Sequence, residues 1–176
     1  RSPSDKDFWF PFSYPSQQEI VPVPHQGVRL AFLGTLSHRS NIETIIDAMR
    51  LLVERGIDAT LDICGTGQAE TSLRARAKGL QSVRFHGWIA ASELADIMAR
   101  SDLGVLPYVQ PDFHMSLPNK FVEYLAGGLG VLSCTEGEVR RMIANRDCGA
   151  WAASQPAAIA DAISGLKPQR ILDVKA

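Results

Sequence analysis

The chain has 176 residues, a formal net charge of −1 and 45% hydrophobic residues. That length suffices for one domain with a real core, and the near-neutral balance excludes global electrostatic capture of nucleic acid or an acidic membrane. No apolar run approaches the roughly 20 residues that span a bilayer. Cys64, Cys134 and Cys148 lack metal-type spacing, and Cys64 and Cys134 fall in apolar runs where cysteine behaves as a small core residue. That usage fits a reducing compartment. No signal peptide is visible and the first residue is Arg1, so we expect a piece of a longer protein.

Residues 1–27 show neither helical nor strand periodicity. Five prolines (Pro3, Pro11, Pro15, Pro22, Pro24) predict an extended segment. The aromatic group Phe8, Trp9, Phe10 and Phe12 needs a cover, either this domain or a further one, and we take it to be this domain. From Val28 a repeating alternation begins. Val28 to Leu33 is a short apolar run ended by Gly34, a buried strand. Ser40 or Asn41 is positioned to cap the next helix. In that helix Ile42, Ile45, Ile46, Met49, Leu52 and Val53 recur at helical spacing, and Gly56 stops it. Ala59 to Cys64 is a second strand, ended by Gly65-Thr66-Gly67. A helix follows to about Lys78, with Leu73, Ala77 and Leu80 inward. Val83 to Phe85 is a third strand, closed by His86-Gly87-Trp88. Ser92 to Arg100 is a helix with Leu94, Ile97 and Met98 as its core face.

Leu103 to Leu106 is a fourth strand, and a polar loop, Val109 to Ser116, leads to Pro118. Pro118 is suited to open a helix, because its missing N–H would be an orphan there anyway. Asn119 and Lys120 fall in the first turn, where free backbone N–H groups attract anions. Glu123 lies one turn further in. Gly127 and Gly128 end this helix, and Gly130 to Ser133 is a fifth strand. Glu138 to Asn145 reads as a short helix, Ala150-Trp151 as a sixth strand. Pro156 opens a last helix with Ile159, Ile163 and Leu166 on one face, and residues 167–176 form a tail.

Strand and helix alternating to the end predict an α/β fold: a doubly wound parallel sheet of about six strands with helices on both faces. In such sheets ligands bind beyond the carboxyl ends of the strands, at the switch point. Gly34, Gly65, Gly87, Pro107 and the loop before Pro118 all fall at carboxyl ends. Gly65-Thr66-Gly67 alone is a weak motif. It lacks a third glycine and follows the second strand, so a tight turn before a helix and a ligand contact both stay open. The single glycine after the first strand argues against an NAD-type domain. No Ser/His/Asp or Cys/His constellation and no acidic metal cluster is visible. His38 and His114 lie in loops near the expected cleft and are given no catalytic role.

Five segments, in order, resemble the C-terminal, donor-binding domain of the large retaining group of GT-B glycosyltransferases, which includes sucrose synthases and many polysaccharide-assembly enzymes. They are Phe32-Leu33-Gly34 with Ala48 to Leu52, Leu61 to Gly67, Val83 to Trp88, Asp102 to Tyr108, and Pro118 to Gly128. The last is similar to the family's "P-x-K-x-x-E-Y-L-A-x-G" helix. The resemblance covers residues 28–166 and implies a Rossmann-like half of a GT-B fold, the acceptor-binding N-terminal domain lying outside the sequence.

The resemblance implies that Glu123 binds the nucleotide ribose, a task suited to a carboxylate that accepts from two hydroxyls; the other reading is a solvated helix glutamate. Backbone amides around Pro118 to Lys120 would hold the diphosphate, with Asn119 in the first turn and Lys120 adding a point charge unless it is a plain surface lysine. Gly34 permits close approach of backbone to the sugar phosphate. Gly65 and Gly67 match the family's glycine turn. Trp88 either frames the base or is a core aromatic. The sequence departs from the family in three places. Met115 stands eight positions before Glu123, where many members carry a second glutamate. Thr35 and Ser40 stand where an Arg and a Lys usually contact the diphosphate; Arg39 is a substitute or an exposed arginine. A helix that crosses back to the other domain is not visible after Leu166.

The implied activity is transfer of a glycosyl group from a nucleoside diphosphate sugar to a glycan, lipid or other acceptor, with retention. The nucleoside diphosphate sugar is substrate, its base unassigned, and no cofactor or metal is expected. The fragment alone would turn over poorly. Nucleic acid is not an expected partner. The expected location is cytoplasmic, with peripheral membrane association open through the other domain. Two alternatives stand: a GT-B-type sugar-nucleotide epimerase, and a non-catalytic nucleotide-sugar-binding module.

Overall fold

The computed structural model describes residues 21–115 and 117–166. The aromatic group at Phe8 to Phe12 and the tail at 167–176 lie outside the described residues. Elements alternate in the order β1 (Val28–Leu33), α1 (Ile42–Glu54), β2 (Ala59–Cys64), α2 (Glu70–Arg76), β3 (Val83–Gly87), α3 (Ala91–Ala99) and β4 (Leu103–Leu106). A 3₁₀ turn (Pro111–Phe113) then leads to α4 (Asn119–Ala126), β5 (Gly130–Ser133), α5 (Glu138–Arg146), β6 (Gly149–Trp151) and α6 (Pro156–Ser164).

The six strands form one parallel sheet in the order β3-β2-β1-β4-β5-β6. The chain winds outward from β1 to β3, returns to the centre, and winds outward again from β4 to β6. The switch point is therefore the crevice between β1 and β4. The alternation of side chains along each strand feeds two cores. Leu30 and Phe32 of β1 face a core with α1, α2 and α6. Ala31 and Leu33 face the other, with α3, α4 and α5. Both faces are covered, which is why β1, β4 and β5 read as largely apolar runs rather than alternating ones. Each fully buried Leu, Ile or Phe contributes about 1.5–3 kcal/mol by leaving water.

In α1 the buried residues are Ile42, Ile45, Ile46, Ala48, Met49 and Leu52, while Val53 is 51% exposed. The buried arc is centred between Ile45 and Met49, slightly round from the arc the apolar spacing alone picks out. That brings Ala48 in and puts Val53 out. A second correction concerns the start of α1. Asn41 is the cap residue in position, with φ 52°, but its side chain makes no cap hydrogen bond to the helix. Its Nδ2 instead donates to the Pro107 carbonyl (3.0 Å) and to Ser154 Oγ (2.8 Å). Ser40 Oγ turns back to the Ser37 carbonyl. Long-range ties outcompete the local cap at Asn41, and a turn within the preceding loop does so at Ser40. A third correction is smaller: Pro118 stands one place before α4, with φ −58° and ψ 142°, and Asn119 is the first helical residue.

Candidate functional site at the switch point

The site begins with a loop that the sequence cannot support alone. After β1 the chain turns at Gly34 and runs to α1, and the loop after β2 braces it. Gly34 N–H donates to the Cys64 carbonyl, Leu36 N–H to Thr66, and Ala69 N–H back to Leu36. Glycine is required at both brace positions. A Cβ on Gly65 would sit 1.8 Å from the Gly34 carbonyl oxygen, and one on Gly67 would sit 2.2 Å from that of Leu36. Gly65-Thr66-Gly67 thus packs behind the first loop. Leu36, fully buried, anchors that loop's inner side.

The opposite wall is the start of α4. Helix α4 has no side-chain cap and no acidic residue in its first turn. Its outward N–H groups and positive dipole end are therefore not neutralised locally. They open into a pocket of about 590 Å³ lined by Leu33, Gly34, Thr35, Ser37, Arg39, Tyr108, Phe113, Leu117, Pro118, Asn119 and Lys120. Among those described residues the charged ones are Arg39 and Lys120, both cationic. A pocket that joins two cations, hydroxyls and a helix start is built for an anion.

Each expected residue has a definite place. Gly34, Thr35, Arg39, Asn119 and Lys120 converge on this pocket. Glu123 does not line it. Its carboxylate is ion-paired with Lys120 one turn back, with only 11% of the side chain exposed. Gly65 and Gly67 stand behind the wall. Trp88 is 81% exposed, which rules out a core aromatic. It follows directly on β3, whose end is fixed by His86 Nε2 against Asp62 Oδ1 at 2.6 Å. Asp62 is nearly fully buried. Met115 is 91% exposed and does not line the pocket.

Four residues that the sequence did not single out shape the same crevice. Tyr108 and Phe113 stack with ring centroids 4.6 Å apart, a geometry favourable for aromatic pairs. Arg39 lies 5.9 Å over the Phe113 ring and is ion-paired with Asp112. This straps the 3₁₀ turn to the first loop, and the Arg39 hydrogen bond holds the Asp112 carboxyl below its usual range. Burial pushes the Tyr108 hydroxyl up. Tyr124 is fully buried beneath the pocket floor, where its hydroxyl accepts the Leu33 N–H at 2.9 Å. Burial raises its pKa well above the ordinary tyrosine value, so it stays protonated. The aromatic residues of the Tyr108–Phe113 loop carry no periodic signal. Tyr124 stood in the sequence only as the tyrosine of the "P-x-K-x-x-E-Y-L-A-x-G" helix, with no role of its own. Among the described residues no group of three His, Cys, Asp or Glu side chains could hold a metal ion. No helix among them is long and apolar enough to cross a membrane.

The chain has relatives in sequence and in fold among known proteins. Two mannosyltransferases of Mycobacterium tuberculosis align with most of the chain. The first is a GDP-mannose-dependent alpha-(1-6)-phosphatidylinositol dimannoside mannosyltransferase, 30% identical over 146 residues, covering 81% of this chain and 37% of that protein. The second is a phosphatidyl-myo-inositol mannosyltransferase, 27% identical over 167 residues, covering 91% of this chain and 43% of that protein. The chain thus spans about two fifths of the length of these curated relatives. In fold, it superposes on the C-terminal domain of a glycosyl transferase group 1 family protein from Francisella tularensis with a TM-score of 0.73. Coverage is 93% of both chains at 16% identity. It also matches an Anabaena protein solved with UDP and glucose, with a TM-score of 0.70 at 16% identity, covering 85% of this chain and 42% of that one. The family model described as "Glycosyl transferases group 1" matches residues 27–167, and the chain belongs to that family.

Proposed function

We propose that this domain is the donor site of a glycosyltransferase, holding a nucleoside diphosphate sugar from which the whole protein moves the glycosyl group, with retention, to an acceptor. The observation that carries the reading is the uncapped start of α4 opening into the cationic pocket between β1 and β4. The diphosphate sits against the Asn119 and Lys120 backbone, with Gly34 and Thr35 on the facing wall. As the bond to the sugar breaks, charge grows on the departing diphosphate. The α4 amides already face that charge, and Lys120 and Arg39, at the pocket wall, turn to it from their pairs with Glu123 and Asp112.

The Lys120–Glu123 pair gives the ligand a specific task. When the diphosphate takes the Lys120 ammonium, the Glu123 carboxylate is released to accept the ribose hydroxyls. Trp88, exposed beyond β3, frames the base. The mannosyltransferase relatives make GDP-mannose the first donor to try and an inositol lipid the first acceptor class; both follow from those relatives' names, not from this chain's side chains. The acceptor is held by a further domain.

The test is calorimetry of the whole protein with GDP, UDP and ADP, followed by transfer assays with the matching donor. One of the three is expected to bind. Glu123→Ala should weaken it roughly tenfold to a hundredfold, the effect of losing one charged hydrogen-bonding partner. Binding without transfer would leave a non-catalytic nucleotide-sugar module. No binding to any of the three, with activity intact in Glu123→Ala, sinks the proposal.

A further inference from the structure

The seam between β1 and β4 is paired at one end and open at the other. At the amino end the strands are joined: Asp102 N–H donates to the Arg29 carbonyl at 2.7 Å. Leu30 then pairs with Leu103, and Ala31 with Gly104. There the ladder stops, two residues short of the carboxyl end of either strand. The neighbouring seams do not stop. β1 pairs with β2 through Leu33, and β4 with β5 through Leu106. The strand ends that wall the pocket therefore lack each other as partners. A backbone N–H buried without a partner is costly, so something must take its place.

Tyr124 of α4 takes it. Its hydroxyl accepts the Leu33 N–H at 2.9 Å and reaches the Val105 carbonyl, as a longer and weaker donor, at 3.4 Å. One oxygen thus bridges the two strands where their own ladder has ended. The ring is admitted because β4 has Gly104 there: a Cβ at that position would lie 2.0 Å from the ring. The same residue belongs to the helix whose first turn forms the opposite wall of the pocket, and Leu33 immediately precedes Gly34.

We infer that Tyr124 is a positioning residue for the donor site: its hydroxyl wedges the carboxyl ends of β1 and β4 apart and fixes the distance between the Gly34 turn and the start of α4. The inference rests on the donor-site reading above and adds a residue that touches no ligand. Without the hydroxyl, the Leu33 N–H has two ways to find a partner. The strand ends close toward each other, or water enters under the pocket floor. Either displaces Gly34 relative to Asn119 and Lys120.

The test is Tyr124→Phe in the whole protein, titrated with whichever of GDP, UDP and ADP binds the wild type. A core variant remote from the crevice, Ile45→Val, serves as a control that destabilises without touching the seam. We expect nucleotide affinity to fall about tenfold in Tyr124→Phe, the scale of one buried hydrogen bond lost, and to stay unchanged in Ile45→Val. In the transfer assay the loss should fall on KM for the donor as well as on kcat. Faster amide exchange at Leu33 in Tyr124→Phe supports the wedge even if the variant is too unstable to titrate; unchanged exchange there overturns it. Equal affinity of Tyr124→Phe and wild type overturns the inference alone, leaving the donor site intact. Failure of all three nucleotides to bind the wild type overturns the donor-site reading and this inference with it.

Discussion

Several single residues in this domain are held by contacts that allow one side chain only. Gly65 is the sharpest. Its missing Cβ leaves room for the Gly34 carbonyl oxygen, a backbone atom that cannot swing aside as a side chain would. Gly65→Ala should destabilise by about 1–3 kcal/mol or more, the range for overpacked sites, measured as a shift of the denaturant midpoint at constant slope. It should also displace the first loop and weaken nucleotide binding beyond what stability alone explains. Asp58 offers a pH test. Its carboxylate makes a two-pronged contact with Arg29, at 2.8 and 3.1 Å, and the Arg29 hydrogen bond holds its pKa below the ordinary value. A carboxyl lowered in the folded state adds stability above its unfolded pKa, near pH 4, and loses it as pH falls through the lower folded value. The melting temperature of wild type should therefore exceed that of Asp58→Asn by a constant margin at neutral pH. The margin should close only below about pH 4. It should be small throughout, since the pair is partly exposed and screened.

At the scale of elements, the loops rather than the helices decide where the site is. Asn41 joins the turn before α1 to the end of β4 through Pro107 and to the segment before α6 through Ser154, while Thr44 Oγ1 donates to its Oδ1 at 2.8 Å. One side chain thus ties three parts of the chain together at the rim of the crevice. Asn41→Ala should cost about 1 kcal/mol or somewhat more, because the buried Pro107 carbonyl and the half-buried Ser154 hydroxyl lose their partner. It should raise amide exchange in the first loop before it affects the sheet. This tie also shows where sequence reading stops. The strand limits of β1, β2, β4 and β5 were legible because each is a short apolar run bounded by glycine, proline or charge. The start of α4 was legible from Pro118 to within one residue. Asn41 was read as a helix cap because capping is local, and the acceptors of its Nδ2 lie 66 and 113 positions away. The bridge from Tyr124 to Leu33 was invisible for the same reason, and the stack of Tyr108 on Phe113 because a non-periodic loop carries no pattern. Trp88 could be read either way, since a tryptophan after a short strand has the same pattern whether it turns in or out.

For the whole molecule, the three described cysteines are free and buried. Burial pushes the thiols of Cys64 and Cys134 up to about 12 and raises that of Cys148. The thiolate is the reactive form, so none of the three should react with a disulfide reagent at pH 8 in the folded protein. All three should react once denaturant opens it, and the labelling midpoint should coincide with the loss of circular dichroism. Labelling of Cys134 well before the transition would show that the cores open separately. The two-pair ladder between β1 and β4 bears on the same question from another side. It divides the sheet into two blocks, β1 to β3 and β4 to β6, each internally zipped and joined to the other along a short seam. Because α6 packs on α1 in the shared core, the blocks are expected to exchange as one unit, and earlier exchange of one block would show that they open separately. An occupant of the crevice touches the 34–39 loop of one block and the start of α4 in the other. Its binding energy is then shared by both, and amides in β2 and β5, far from any ligand atom, should gain protection together.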